Sequence, residues 1–252
     1  MGNLAEGVRA DESISVLSVV EESDADDVEP ALRDDEGMTL QTETDAMAAV
    51  ERLDDTDCVV GPFDPPTLDD DLITAVRNRD ERLPVVLYTT EPIDAVADRL
   101  SETAHVEYVQ KGPADETVTL LAGRIRTLVE RRQLRAANRR FVAALDSCPT
   151  PTLIADPTGT IEYSNGQLAS TVSHANSNLC GRAWTEIFTD EAARHLQYEA
   201  VPVGTDGWTW SGETVLDAGT EDGVSARTSL IQLPDSSKVF VFDDLERLPA
   251  EC

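Results

Sequence analysis

The chain has 252 residues, which suits two ordinary domains, and its 40% hydrophobic content is enough for packed cores, so wholesale disorder is excluded. Forty-nine acids against twenty bases give a net charge of −29. That balance leaves no general phosphate-binding surface, so nucleic acid is not expected as a partner. No apolar run approaches the length of a bilayer span, and the N-terminus MGNLAEGVRADES carries acid where a secretory signal would be apolar. A cytoplasmic location without a membrane partner is the expectation.

Only Lys111 and Lys238 are lysines; every other base is arginine. Short carboxylates spread over the whole length, with lysine almost absent, look like the surface of a protein from a halophilic archaeon, where salt screens self-repulsion. The cysteines, Cys58, Cys148, Cys180 and Cys252, are scattered without a C-x-x-C pair. They predict ordinary thiols in a reducing compartment rather than a metal or disulfide framework.

After an acidic tail over 1–12, ISVLSVV (14–20) reads as a buried parallel strand. Val28 and Leu32 among acids fit a solvent-facing helix, and MTLQTE (38–43) a second strand. Ala46, Ala49, Val50 and Leu53 repeat at helical spacing. DCVVG (57–61) forms a third strand broken by Pro62. A helix over 68–79, a strand PVVLY (84–88), a helix over 93–100 and a strand over 105–109 follow. Strands alternating with helices predict a five-stranded doubly wound α/β domain of the flavodoxin-like kind, over 13–130, with its functional edge at the strand ends.

A long helix begins at Ala114 and runs without proline to Leu145. Residues 124–140 hold seven arginines and one glutamate, with 131–140 as a basic linker. Two readings stay open: a signalling helix that transmits register between domains, or a solvated connector whose arginines pair with acidic neighbours. Beyond it the chain is rich in Thr, Ser and Gly. Strands are expected at 152–156, 160–165, 208–216, 224–233 and 238–244, and helical segments at 167–172 and 190–199. Two strands, a helical excursion and three strands predict an α+β domain over 141–248, an antiparallel sheet with helices across one face enclosing an apolar hollow.

Two family resemblances follow from these stretches. The first half resembles response-regulator receiver domains. VVEES (19–23) sits where that family keeps the acidic pair that holds Mg²⁺, here Glu21 and Glu22. YTT (88–90) places Thr89 at the switch hydroxyl. EYVQKGP (107–113) places Lys111 at the phosphate-binding lysine and Tyr108 near the aromatic switch. DCVVGPFDPP (57–66) departs from the pattern, because Pro62 stands where the phospho-acceptor aspartate belongs. Proline has neither a carboxylate to attack phosphorus nor a backbone N–H. The resemblance therefore implies a pseudo-receiver with a vestigial site at Glu21, Glu22, Pro62, Thr89 and Lys111, retaining weak affinity for Mg²⁺ or an anion. Asp64 is the alternative acceptor, but Pro62, Pro65 and Pro66 interrupt the strand that would have to aim it.

The second half resembles PAS domains. FVAALDSCPTPTLIADPTGTIEYSN (141–165) matches the family's entry helix, first hairpin and closing Asn165. GRAWTEIF (181–188), DGVSARTSLIQL (222–233) and VFVFDDLER (239–247) match later segments in order. The resemblance implies a pocket near Asn165, Trp184 and His195 for haem, flavin, a small metabolite or nothing. His195 falls about where haem-binding members place an axial ligand. Cys180 precedes Gly181 and Arg182, the wrong side for a flavin photosensor, and Trp208 and Trp210 join Trp184 as pocket, core or dimer candidates. Receiver and PAS together imply a two-component-type signalling protein, a sensor or phosphorelay component. Its partner would be a histidine kinase or transcriptional regulator, with a homodimer through the linker helix and PAS unit. No P-loop and no nucleophile–base–acid set stands out, and the chain ends at Cys252 without a kinase core, so no enzyme is expected.

Overall fold

The computed structural model describes residues 13–19, 32, 35, 37–44, 46–63, 72–172, 179–205, 208–217 and 223–248. The chain divides into two compact units, Met1–Ala137 and Asn138–Cys252.

The first unit is a parallel sheet of β1 (Ile14–Val19), β2 (Met38–Glu43), β3 (Cys58–Gly61), β4 (Val85–Thr89) and β5 (Val106–Gln110), in the order β2-β1-β3-β4-β5. That order is the flavodoxin-like one, with its switch point between β1 and β3. The central strands are largely apolar because both faces are covered. Val16, Cys58, Val60, Val86 and Tyr88 face one core, and Leu17, Val19, Val59, Val85 and Leu87 face the other. Side chains that alternate by one residue thus serve two layers.

Helices α1 (Ala46–Val50) and α2 (Leu72–Arg79) carry Ala49, Leu72, Ile73 and Val76 into the second core. Helix α3 (Ile93–Glu102) follows β4. Helix α4 (Ala114–Ser147) covers the first core with Leu121, Ile125, Leu128 and Val129, at three-and-four spacing. Of the helix expected near Val28, only Leu32 lies within the described residues; it is helical and fully buried.

The second unit is an antiparallel sheet of β6 (Thr152–Ala155), β7 (Ile161–Ser164), β8 (Trp210–Leu216), β9 (Val224–Gln232) and β10 (Lys238–Arg247). Its order is β7-β6-β10-β9-β8, so the first and last strands lie side by side. Helix α5 (Gly166–Thr171), a 3₁₀ turn (Trp184–Ile187) and helix α6 (Asp190–His195) occupy the excursion between β7 and β8. The helical path runs past the expected end at 199, through a π turn (Leu196–Ala200) into α7 (Val201–Thr205). Pro202 explains the turn: it has no N–H to give and its ring crowds the preceding carbonyls, so the helix widens and the Val201 N–H reaches back to Leu196 O. Gly159, at φ 93°, closes the Asp156–Gly159 turn, where a Cβ would press on the Trp184 indole at 3.3 Å.

Both architectures are those expected from the chain: a receiver-like α/β fold and, after a long helix, a PAS-like antiparallel sheet with helices.

Candidate functional site

In a doubly wound sheet a site assembles at the carboxyl ends of the strands. Pro62 is the residue immediately after β3, one step beyond the Gly61–Leu87 pairing with β4. The described carboxylate nearest in sequence, Asp57, stands at the other end of the strand, where its Oδ2 accepts the Ser15 N–H at 3.1 Å. A Cβ at Gly61 would collide with the Leu72 side chain, so the strand end is built around a missing side chain. Thr89 closes β4 and is buried; its hydroxyl accepts the Glu91 N–H at 3.2 Å. Lys111 follows β5; its N–H donates to Thr89 O at 2.8 Å and its Nζ lies 5.3 Å from the Tyr88 ring centroid. The Tyr108 hydroxyl donates to Glu91 O at 2.5 Å, and burial, then the Glu91 charge, push its pKa up. Backbone register thus brings Thr89 and Lys111 together. Glu21, Glu22 and Asp64 lie outside the described residues, and no group of three metal-ligating side chains occurs among the described ones.

The opposite end of this unit holds a network that sequence reasoning missed. Arg77, on α2, donates to Leu83 O at 2.7 Å and to Ala104 O and His105 O at 3.1 Å, fastening two loops. Its signal was available: Arg77 stands four residues after Ile73, on the face that faces inward. Arg132, on α4, bridges Asp80 at 2.8 Å and reaches Thr56 O and Asp57 O at 3.4 Å. Arg124 and Arg131 pair with Glu107, Arg126 with Asp35, and Arg135 meets His105 Nδ1 at 3.4 Å. Five of the seven arginines over 124–140 therefore act as connectors to acidic or polar neighbours.

In the second unit the three pocket candidates serve three separate local purposes. Asn165 is fully buried. Its Oδ1 accepts from Thr152 N–H at 3.0 Å and Leu168 N–H at 3.2 Å, and its Nδ2 donates to Thr150 O at 2.9 Å and Leu145 O at 3.3 Å. It caps α5 while tying the end of α4 to β6. Trp184 belongs to an aromatic core, 5.1 Å from Phe240 and 5.9 Å from Phe188, with Phe242 stacked beyond. These rings lie in the buried core of the unit, where the hollow was expected. His195 is exposed, edge-on to Trp210 at 5.7 Å and 3.4 Å from Glu199. An imidazole facing solvent does not fit the axial position of a haem held inside the fold, and neither described histidine lies in the aromatic core.

Tyr163, on β7, donates to Asp146 at 2.7 Å, and burial followed by that carboxylate pushes its pKa up to about 12. A surface cleft of about 600 Å³ is lined by Arg182, Glu186, Asp190, Arg194 and Asp217, among others. Within it Arg182 pairs with Glu186 at 2.9 Å, and Arg194 donates to the Asp190 backbone carbonyl at 3.1 Å.

No family model and no curated protein matches the chain. Among solved structures, a response-regulator receiver domain protein from Clostridium thermocellum is 18% identical, covers 48% of this chain and 98% of its own, and has a TM-score of 0.40. A domain of a sensory box sensor histidine kinase/response regulator from Geobacter sulfurreducens is 14% identical over 44% of this chain and 96% of its own, TM-score 0.38. The PAS domain of an HTR-like protein from Haloarcula marismortui is 18% identical over 46% and 97%, TM-score 0.33. The structural neighbours thus include both a receiver domain and PAS domains, each spanning less than half of this chain.

Proposed function

We propose that the chain is a non-catalytic signal-transduction module: a pseudo-receiver over 13–130, a basic linker over 131–140 and a PAS-type unit over 141–248. The observation that carries this reading is Pro62 at the carboxyl end of β3, on the sheet edge where Thr89 and Lys111 sit. Phosphoryl transfer to a receiver needs a carboxylate there, with Mg²⁺ and a lysine neutralising the phosphoryl oxygens. Without it, output must come from a shift in the population of binding surfaces, to which each partner contributes through its differential affinity. The partner class is a histidine kinase or transcriptional regulator of a two-component-type pathway, met in the cytoplasm, and the PAS-type unit senses or dimerises.

The test is incubation of the purified full chain with Mg²⁺ and acetyl phosphate, followed by intact mass. The unmodified mass is expected. A stable, hydroxylamine-labile acyl phosphate on the wild-type chain, at Asp64 or elsewhere, would refute the reading.

A further inference from the structure

Guanidinium groups gather around the amino ends of β4 and β5, within the first unit of a chain whose net charge is −29. Arg77 spends its terminal nitrogens on the carbonyls of Leu83, Ala104 and His105, so it supplies charge rather than free donors. Arg132 is spent on Asp80 at 2.8 Å. Arg82 gives its backbone N–H to the other Asp80 oxygen at 2.8 Å, while its exposed side chain pairs with no described carboxylate. Arg135, also exposed, meets no described carboxylate either; its Nη1 lies 3.4 Å from His105 Nδ1.

The carboxylates acting on Arg77 and His105 are those of Asp80 and Glu81, two against the four guanidiniums of Arg77, Arg82, Arg132 and Arg135. His105 stands in the middle, held at φ 61°. Desolvation, then Arg135, Arg77 and Arg82, keep its pKa below the ordinary value, with Asp80 opposing, so the ring is neutral at pH 7. A guanidinium has no acceptor, so Nδ1 of this neutral ring accepts from Arg135 and the ring proton sits on Nε2 as a further donor. The cluster thus offers an excess of two positive charges and unspent donors on Arg82, Arg135 and His105. A phosphoryl dianion matches both, since its oxygens accept from guanidinium and imidazole N–H groups approaching from separate directions.

We propose that Arg82, Arg135 and His105 bind a phosphoryl dianion, free or carried by a nucleotide, at the amino ends of β4 and β5. The site lies at the sheet edge opposite Pro62, Thr89 and Lys111, because all five strands are parallel. Binding there is non-covalent and does not depend on the signalling reading: an acyl phosphate at the other edge would overturn that reading and leave this cluster as it is.

The experiment follows the imidazole resonances of the full chain by nuclear magnetic resonance while inorganic phosphate or adenosine monophosphate is added at constant pH and ionic strength, with chloride as the control anion. At about 0.15 M salt the screening length is about 8 Å, so the anion senses the local arginines more than the distant acids. The His105 resonance should shift saturably with phosphate, or with the nucleotide alone if that is the source, and the pKa of His105 should rise above 6.5 when the site is full. His174 and His195, both in the second unit, are internal controls and should not move. Affinity should fall at least about tenfold in Arg82→Gln and in Arg135→Gln, each of which removes a charge-assisted donor at an exposed position. Unchanged circular dichroism verifies the fold of each variant. A shift that chloride reproduces, no saturable shift with either phosphoryl compound, or wild-type affinity in both variants would each overturn the proposal.

Discussion

Asn165→Ala is expected to destabilise the second unit selectively. The wild-type carboxamide accepts from Thr152 N–H at 3.0 Å and Leu168 N–H at 3.2 Å, both in buried surroundings. Alanine leaves two buried donors without acceptors, at about 1–3 kcal/mol each, the Leu168 N–H counting as a lost helix cap of about 1 kcal/mol. The carbonyls of Thr150, Leu145 and Cys148 lose a donor as well but keep a route to water, so we add little for them.

The sum is about 2–4 kcal/mol, a large share of the 5–15 kcal/mol that holds a typical domain together. The three tryptophans, Trp184, Trp208 and Trp210, all belong to the second unit. Tryptophan fluorescence during urea titration therefore isolates its transition, while far-ultraviolet circular dichroism follows both units. With a slope of about 2 kcal/mol per molar urea, the fluorescence midpoint should fall by about 1–2 M. Asn165→Asp keeps both acceptors but sets a carboxylate against three carbonyls, and should lose as much at neutral pH. A shift under about 0.5 M for Asn165→Ala would refute the account of Asn165 as the tie between α4, β6 and α5.

Arg77→Lys should destabilise the first unit by about 1–3 kcal/mol, read by circular dichroism in urea, because one ammonium cannot serve the separated carbonyls of Leu83, Ala104 and His105. Cys58 is buried, and desolvation followed by the Asp57 charge raises its thiol pKa steeply, whereas Cys180 is exposed. Peptide mapping after iodoacetamide at neutral pH should find Cys180 alkylated first and Cys58 only once the first unit unfolds. His105 has its pKa lowered by desolvation, then by Arg135, Arg77 and Arg82, with Asp80 opposing. A histidine with a folded-state pKa below its unfolded value of 6.5 contributes stability that is full above that value and lost as pH falls through the lowered one. His105→Asn, which suits the observed φ of 61°, should flatten the dependence of the unfolding midpoint on pH below 6.5 relative to wild type.

Strand and helix periodicity carried most of the architecture. MTLQTE became β2 residue for residue, and the apolar runs around Val16, Val59 and Val86 became the doubly covered strands that their lack of polar alternation implied. These are local signals, since one strand's side-chain pattern records how many faces are buried. The proline at position 62, directly after the third apolar run, was equally plain.

Tertiary structure decided what depends on direction and distance. Nothing local states whether an arginine on α4 finds an acid, and it is the approach of Glu107, Asp80 and Asp35 that turned four of them into connectors. Asn165 looked like a pocket residue because sequence places it at the end of a hairpin; only folding around it converts its short polar head into a fully buried tie. His195 has a spacing compatible with either face of a short helix, and the position of α6 against β8 set its ring toward Trp210 and solvent. Burial and hydrogen-bond partners of this kind are properties of segments distant in the chain, which a pattern of near neighbours does not contain.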